Sequence, residues 1–275
     1  MRGKTIKKTI LNVLLASFIT TNLITTITSA TVLDENIEYD FNTSINSTID
    51  ELDYSSMISS AKLPTLVKEL RLYIESNPNL GEEEINNYFK NLIIENYDEN
   101  LMILEKNQNN LRYDYANSLP IVSSKLGPTE KQVFNSSPAK GALVLSNAQA
   151  AIDMTSQHWI FNDYEYHNDN ADAFRHTLWN AYNAHDCGTT YAKKFADAHE
   201  KDFPNVALET EMDLFNNSLG RTIGSKSYPG NASQASYAIR QAVLTAVKNG
   251  EARRFQGMDI GTKTTLQKTN SNSIK

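Results

Sequence analysis

The sequence predicts an all-α protein: a multi-helix orthogonal bundle preceded by a smaller helical region. Three observations carry this expectation. Apolar residues recur at three- and four-residue steps in segment after segment between Pro64 and Lys248. No convincing apolar–polar alternation longer than four residues occurs outside the N-terminal leader. Pro and Gly fall between the periodic segments, where helices start and stop.

The chain divides in order. Residues 1–30 read as a signal peptide, with the basic start MRGKTIKK, an apolar Thr-rich run, and small residues ending in TSA at Ala30. An uncleaved anchor is the rival reading, against which Asn12, Asn22 and the many Thr weigh. The expected location is therefore secreted or extracellular, with the membrane involved only through the export signal. Residues 31–60 are a polar, acidic linker with room for one short helix. Residues 61–122 form a helical N-terminal region: Leu66, Leu70, Tyr73 and Ile74 in one helix, NPNLG as a break, then Ile85, Tyr88, Phe89, Leu92 and Ile93 in another, and a third helix through Leu111. Residues 123–256 form the main helical domain. Pro128 starts a helix, Pro138 and Gly141 mark a turn, and Ala142–Thr155 is a strong helix. Helices follow over Ala171–Ala184, Thr190–Lys201, Leu208–Leu219 and the SQASYAIRQAVLTAVK segment, which stops at Asn249-Gly250. Residues 257–275 are a polar tail expected to fray.

Composition excludes several functions. Loss of Arg2, Lys4, Lys7 and Lys8 with the leader takes the formal charge from −6 to −10, so no nucleic-acid partner is expected. The single Cys187 rules out an internal disulfide framework and an N-terminal lipid anchor alike. There is no H-E-x-x-H, no phosphate-binding loop and no G-x-S-x-G elbow. A Cys187 nucleophile beside His185 is disfavoured, because residues two apart on a helix do not face each other. His158 and His167 flank an aromatic stretch that reads as a lid or a plain surface loop.

Three segments carry candidate chemistry. In DAFRHTLWNA and its continuation, Asp172, Asn180 and Asn183 lie within about 40° of His176 on a helical wheel, with Trp179 just beyond. The stripe holds no Lys or Glu, which argues for a covered face over a solvated one. In YAKKFADAHEKD, His199 sits in the apolar face with Ala192, Phe195 and Ala196, and Glu200 lies at its boundary. In EMDLFNNSLGR, Asp213, Asn216, Asn217, Gly220 and Arg221 gather on one side. Imidazole and carboxylate presented from separate helices form a ligand set for Zn²⁺, Mn²⁺ or Fe²⁺. The expected metal ligands are His176, His199 and Asp213, with Glu200 as general base, Asn180 and Asn217 as orienting groups and Arg221 against an anionic group.

On the motifs D-A-F-R-H-x-x-W-N-A, A-H-E and M-D-x-x-N-N-x-x-G-R, the stretch from about Leu126 to Val247 resembles an uncharacterised family of helical domains from exported and phage-associated bacterial proteins. The resemblance implies that His176, Trp179, Asn180, His199, Glu200, Asp213, Asn216, Asn217, Gly220 and Arg221 belong together. Two expectations follow. One is an exported metal-dependent hydrolase or toxin-like enzyme acting on a small-molecule, lipid or cell-envelope substrate, with a phosphoester, a lipid head group or a cell-wall amide all suitable. The other is a non-catalytic module that binds a surface protein and whose polar cluster is structural.

Overall fold

The computed structural model describes residues 52–98, 119, 125–159, 167–255 and 265–275. The leader, most of the linker, the third N-terminal helix and the centre of the aromatic loop lie outside these residues. The chain divides at Leu52/Asp53, and everything below concerns Asp53–Lys275.

Eight α-helices and one small sheet make up the described residues. A 3₁₀ turn, Tyr54–Met57, capped by the Asp53 carboxylate, seats Tyr54 in the core. Helices α1 (Leu63–Ser76) and α2 (Glu82–Asn96) form the expected hairpin. Leu63, Leu66, Val67 and Leu70 of α1 and Phe89, Leu92 and Ile93 of α2 are buried. Glu82, Glu83 and Glu84 crowd the first turn of α2, where the helix dipole favours them, and Glu84 accepts the Gly81 N–H at 2.8 Å. Both helices pack on α4.

Helix α3 (Pro128–Ser136) begins at a proline and is capped from a distance: Asp202 Oδ2 accepts the N–H groups of Thr129 and Glu130 at 2.7 and 2.8 Å. Ser137 alone separates it from α4 (Pro138–His158). The expected turn at Pro138 and Gly141 is thus shifted. Pro138 opens α4, and Gly141 lies inside it, because any Cβ there would overlap the Phe134 ring.

Helix α5 (Asn170–Cys187) is the centre of the bundle. Asp169 caps it by accepting the Ala171 and Asp172 N–H groups, and Gly188, at φ +83°, ends it in a conformation that favours glycine. It packs against α4, α6 (Thr189–Asp202), α7 (Ala207–Gly224) and α8 (Ala232–Lys248), so it is buried nearly all round. Trp179 does not border solvent: it is fully buried and donates to the Val144 carbonyl at 3.2 Å.

Helices α5 and α7 run parallel in close contact. His176 meets Asp213 and Asn180 meets Asn217, so partners climb both helices together. The closeness comes from glycine. A Cβ on Gly220 would overlap the Thr177 carbonyl oxygen, and one on Gly224 would overlap that of Ala181.

The tail is folded from residue 265 onward. Strands β1 (Arg253–Phe255) and β2 (Leu266–Lys268) pair antiparallel. Asn270 and Asn170 bond reciprocally, Ile274 bridges Trp159, and the Lys275 N–H reaches the His158 carbonyl at 2.9 Å. No helix among the described residues is long and apolar enough to cross a membrane.

Candidate metal centre

The stripe on α5 is interior throughout. Asp172, His176, Asn180 and Asn183 are each at most 4% exposed. It divides by function along its length. Asn183 joins a buried knot in which Asn147 donates to it at 3.1 Å and Arg71 of α1 binds Asn147 and Asp186. His176 and Asp172, two and three turns nearer the N-terminus, line a cleft with Arg175, His199, Glu200, Glu209, Asp213, His167 and Phe203. The cleft encloses about 280 Å³, including the solvent at its mouth.

His176, Glu200 and Asp213, from α5, α6 and α7, converge there. One ligand atom from each lies within 4.8 Å of the others, and all three residues are buried. Asp213 Oδ1 and His176 Nδ1 have no hydrogen-bond partner. His176 Nε2 lies 3.5 Å from Asp172 Oδ1 and 3.7 Å from Asp213 Oδ1. Across the cleft, His167 Nε2 stands 3.5 Å from Glu209 Oε1. These separations exceed a hydrogen bond. Within the triad, the His176–Asp213 separation of 3.7 Å lies near the roughly 3.4 Å between two ligands that share a tetrahedral ion at about 2.1 Å.

His199, outside that triad, provides the contrast. Its Nδ1 bonds Glu130 Oε1 at 2.8 Å, Glu130 is fully buried, and its ring packs edge-on against Trp179. The triad that geometry assembles therefore contains Glu200 where the sequence reading placed His199. Glu200, read as general base, stands in a ligand position. Its Oε1 accepts from Asn217 at 3.2 Å, Asn217 accepts from Asn180 at 2.7 Å, and Asn180 accepts from Arg221 at 3.2 Å. Asn180 and Asn217, expected as orienting groups, are the middle of this chain. Arg221, at the far end, is not among the lining residues of the cleft and donates to Asn180.

Protonation follows from burial and charge. Burial, reinforced by Arg175 and His199, overrides Asp172 and Asn217 and brings His176 down to about 3. The ring is neutral at physiological pH, as a metal ligand must be. Burial, then Asp172, Glu200 and Glu209, push the Asp213 carboxyl well above its ordinary range. Burial likewise raises Glu200 and Glu209. Asp172 goes the other way. Burial would raise it, but Arg175, His176, His167 and the Asn168 N–H together hold it low. Its oxygens are engaged, Oδ1 by Arg175 and Oδ2 by Asn168 N–H, both at 2.6 Å. Asp172 is thus a fixed anion, whereas at Asp213 the opposing charge of Arg175 is outweighed by burial and the neighbouring carboxylates.

Five cleft residues, Glu209, Arg175, His167, Phe203 and Asn205, had no predicted site role. Glu209, Asp213 and Asn217 follow one another at steps of four on α7, a second stripe that periodicity alone could have extended upward to Glu209. Arg175 was hidden by its place beside the stripe. His167 was read as loop, and no local pattern marks it. Cys187 is buried, and burial pushes its thiol well up, away from the thiolate a nucleophile needs.

Residues 131–251 match the model of a domain of unknown function (DUF6973), an uncharacterised domain family. No curated protein and no solved structure matches the chain. The matched segment holds His176, Glu200 and Asp213 together with the glycines that bring α5 and α7 together.

Proposed function

We propose that His176, Glu200 and Asp213 hold a divalent transition metal, and that the domain is a hydrolase. The observation that carries the reading is the unpartnered Asp213 Oδ1, buried 3.7 Å from His176 Nε2 among other carboxylates. An ion replaces the protons those carboxylates otherwise retain. One imidazole and two carboxylates suit Zn²⁺, Mn²⁺ or Fe²⁺, and three protein ligands leave a position for water. The ion would supply acidified water and a polarised substrate oxygen.

The chain's own residues have separate tasks. Asn217, braced by Asn180 and Arg221, fixes the Glu200 carboxylate. Asp172, fixed by Arg175, keeps a negative charge beside the His176 ring, 3.5 Å from its Nε2. Glu209, which lines the cleft with its Oε1 3.5 Å from His167 Nε2, would accept a proton from water. The leader-like first thirty residues support an exported protein, secreted or extracellular.

Metal content of the purified chain tests this. About one equivalent of transition metal, lost in Asp213→Asn with helicity unchanged, is the expected result. No metal after reconstitution with Zn²⁺ and Mn²⁺ refutes it. The closed Arg221–Asn180–Asn217–Glu200 chain supports the alternative, a structural polar core in a surface-binding module, and that negative result would select it.

A further inference from the structure

The charges around the cleft restrict what can enter it. Asp172, Glu200, Glu209 and Asp213 all line it, against the single guanidinium of Arg175. A divalent ion on the triad still leaves the lining formally negative. Arg175 is 12% exposed and its charge is set against Asp172, to which its Nη2 donates at 2.6 Å. No lysine is among the described lining residues, and Arg221 stands behind the wall, bonded to Asn180. Sites that transfer or cleave phosphoryl groups surround them with cations besides the metal, because the transition state spreads negative charge over several oxygens. This lining has the opposite sign.

From this we infer that the group cleaved is an uncharged carboxylic acid derivative, an amide or an ester, and not a phosphoester. The inference rests on the metal-centre reading and narrows it. In the reaction, a water oxygen bonds to the carbonyl carbon while Glu209 accepts the water's proton. The bond from carbon to the amide nitrogen or ester oxygen then breaks, and Glu209 returns the proton to the departing atom. The products are a carboxylic acid and an amine or alcohol, and water is the sole co-reactant. The carbonyl oxygen carries the developing negative charge, for which the ion alone suffices.

The test uses the full chain loaded with Co²⁺ and two small probes, followed through the visible absorption of the metal. Acetohydroxamate enters uncharged and mimics an amide, and it is expected to shift the spectrum saturably at millimolar concentration. Inorganic phosphate at the same concentration is expected to leave it unchanged. Phosphate binding as tightly as acetohydroxamate overturns the inference and leaves the metal centre standing. A chain that takes up no Co²⁺ removes the centre, and the inference falls with it. Glu209→Gln supplies an independent check, because deleting one negative charge from the lining should strengthen phosphate binding by about tenfold. Unchanged phosphate affinity in that variant shows that the charge argument is wrong.

Discussion

Replacing Gly220 by alanine probes the helix crossing on which the cleft depends. On propensity alone the change is favourable, since Gly to Ala within a helix gains about 1 kcal/mol. The crossing opposes it. The new Cβ would overlap the Thr177 carbonyl oxygen and stand 2.9 Å from Asn180 Cβ. The obstacle is backbone, which cannot rotate aside, so α5 and α7 must part by about 1 Å to restore ordinary contact. Overpacking of this kind costs about 3 kcal/mol at the upper end of its usual range. The net expectation is a loss of roughly 2 kcal/mol, or about 4–8 °C in Tm for a domain of this size. Asp213 lies two turns back on the same helix, so metal affinity should fall as well. Urea unfolding followed by circular dichroism gives the stability, with Ser218→Ala on the exposed side of α7 as control, expected within about 0.5 kcal/mol of the parent. A Gly220→Ala variant that is more stable by the full propensity gain would refute the close parallel crossing.

Four further outcomes follow from the same geometry. A metal ion at a hundred times its Kd should add about 2.7 kcal/mol, a rise of roughly 5–11 °C in a thermal melt, and Asp213→Asn should abolish that rise without lowering the stability of the metal-free chain. Stability of the metal-free chain should fall as pH rises above about 6.5, the ordinary value of an imidazole, in urea titrations. There the neutral His176 no longer contributes, while raised carboxyls such as Asp213 lose protons that the folded state binds more tightly than the unfolded one. A bound ion should flatten that slope, and a slope independent of metal would count against the triad. His199→Ala should cost roughly 2–4 kcal/mol by stranding buried Glu130, yet retain the metal equivalent in elemental analysis; loss of metal from a folded variant would restore His199 to the ligand set.

Much of this was legible in the sequence because helices impose a fixed angular period. The α5 stripe, the inward direction of His199 and the polar side of α7 all follow from spacing within one element. What spacing cannot supply is the neighbour. His199 points inward as expected, but toward Glu130, which is 69 residues away in the chain. Glu200, at the boundary of its helix face, is turned into the cleft because α7 brings Asn217 to it. The β1–β2 pair escaped notice because three-residue strands are too short for a period of two to register. Gly141 looked like a turn signal, although its job is to admit the Phe134 ring. His167 depends on where a loop returns, which only the assembled helices decide.

The reciprocal bond between Asn170 and Asn270, with the Ile274 bridge to Trp159 and the Lys275 N–H on His158, also sets an order of events during synthesis. These contacts span about a hundred residues and fasten the start of the central helix with residues 270–275, made well after it. Until residues 270–275 emerge, the helix that carries Asp172 and His176 can coil and collapse, but its entry stays unfastened. Completion of the domain therefore waits for that segment, and a nascent chain stalled short of Asn270 would be an open, protease-sensitive form whatever its remaining helices have done.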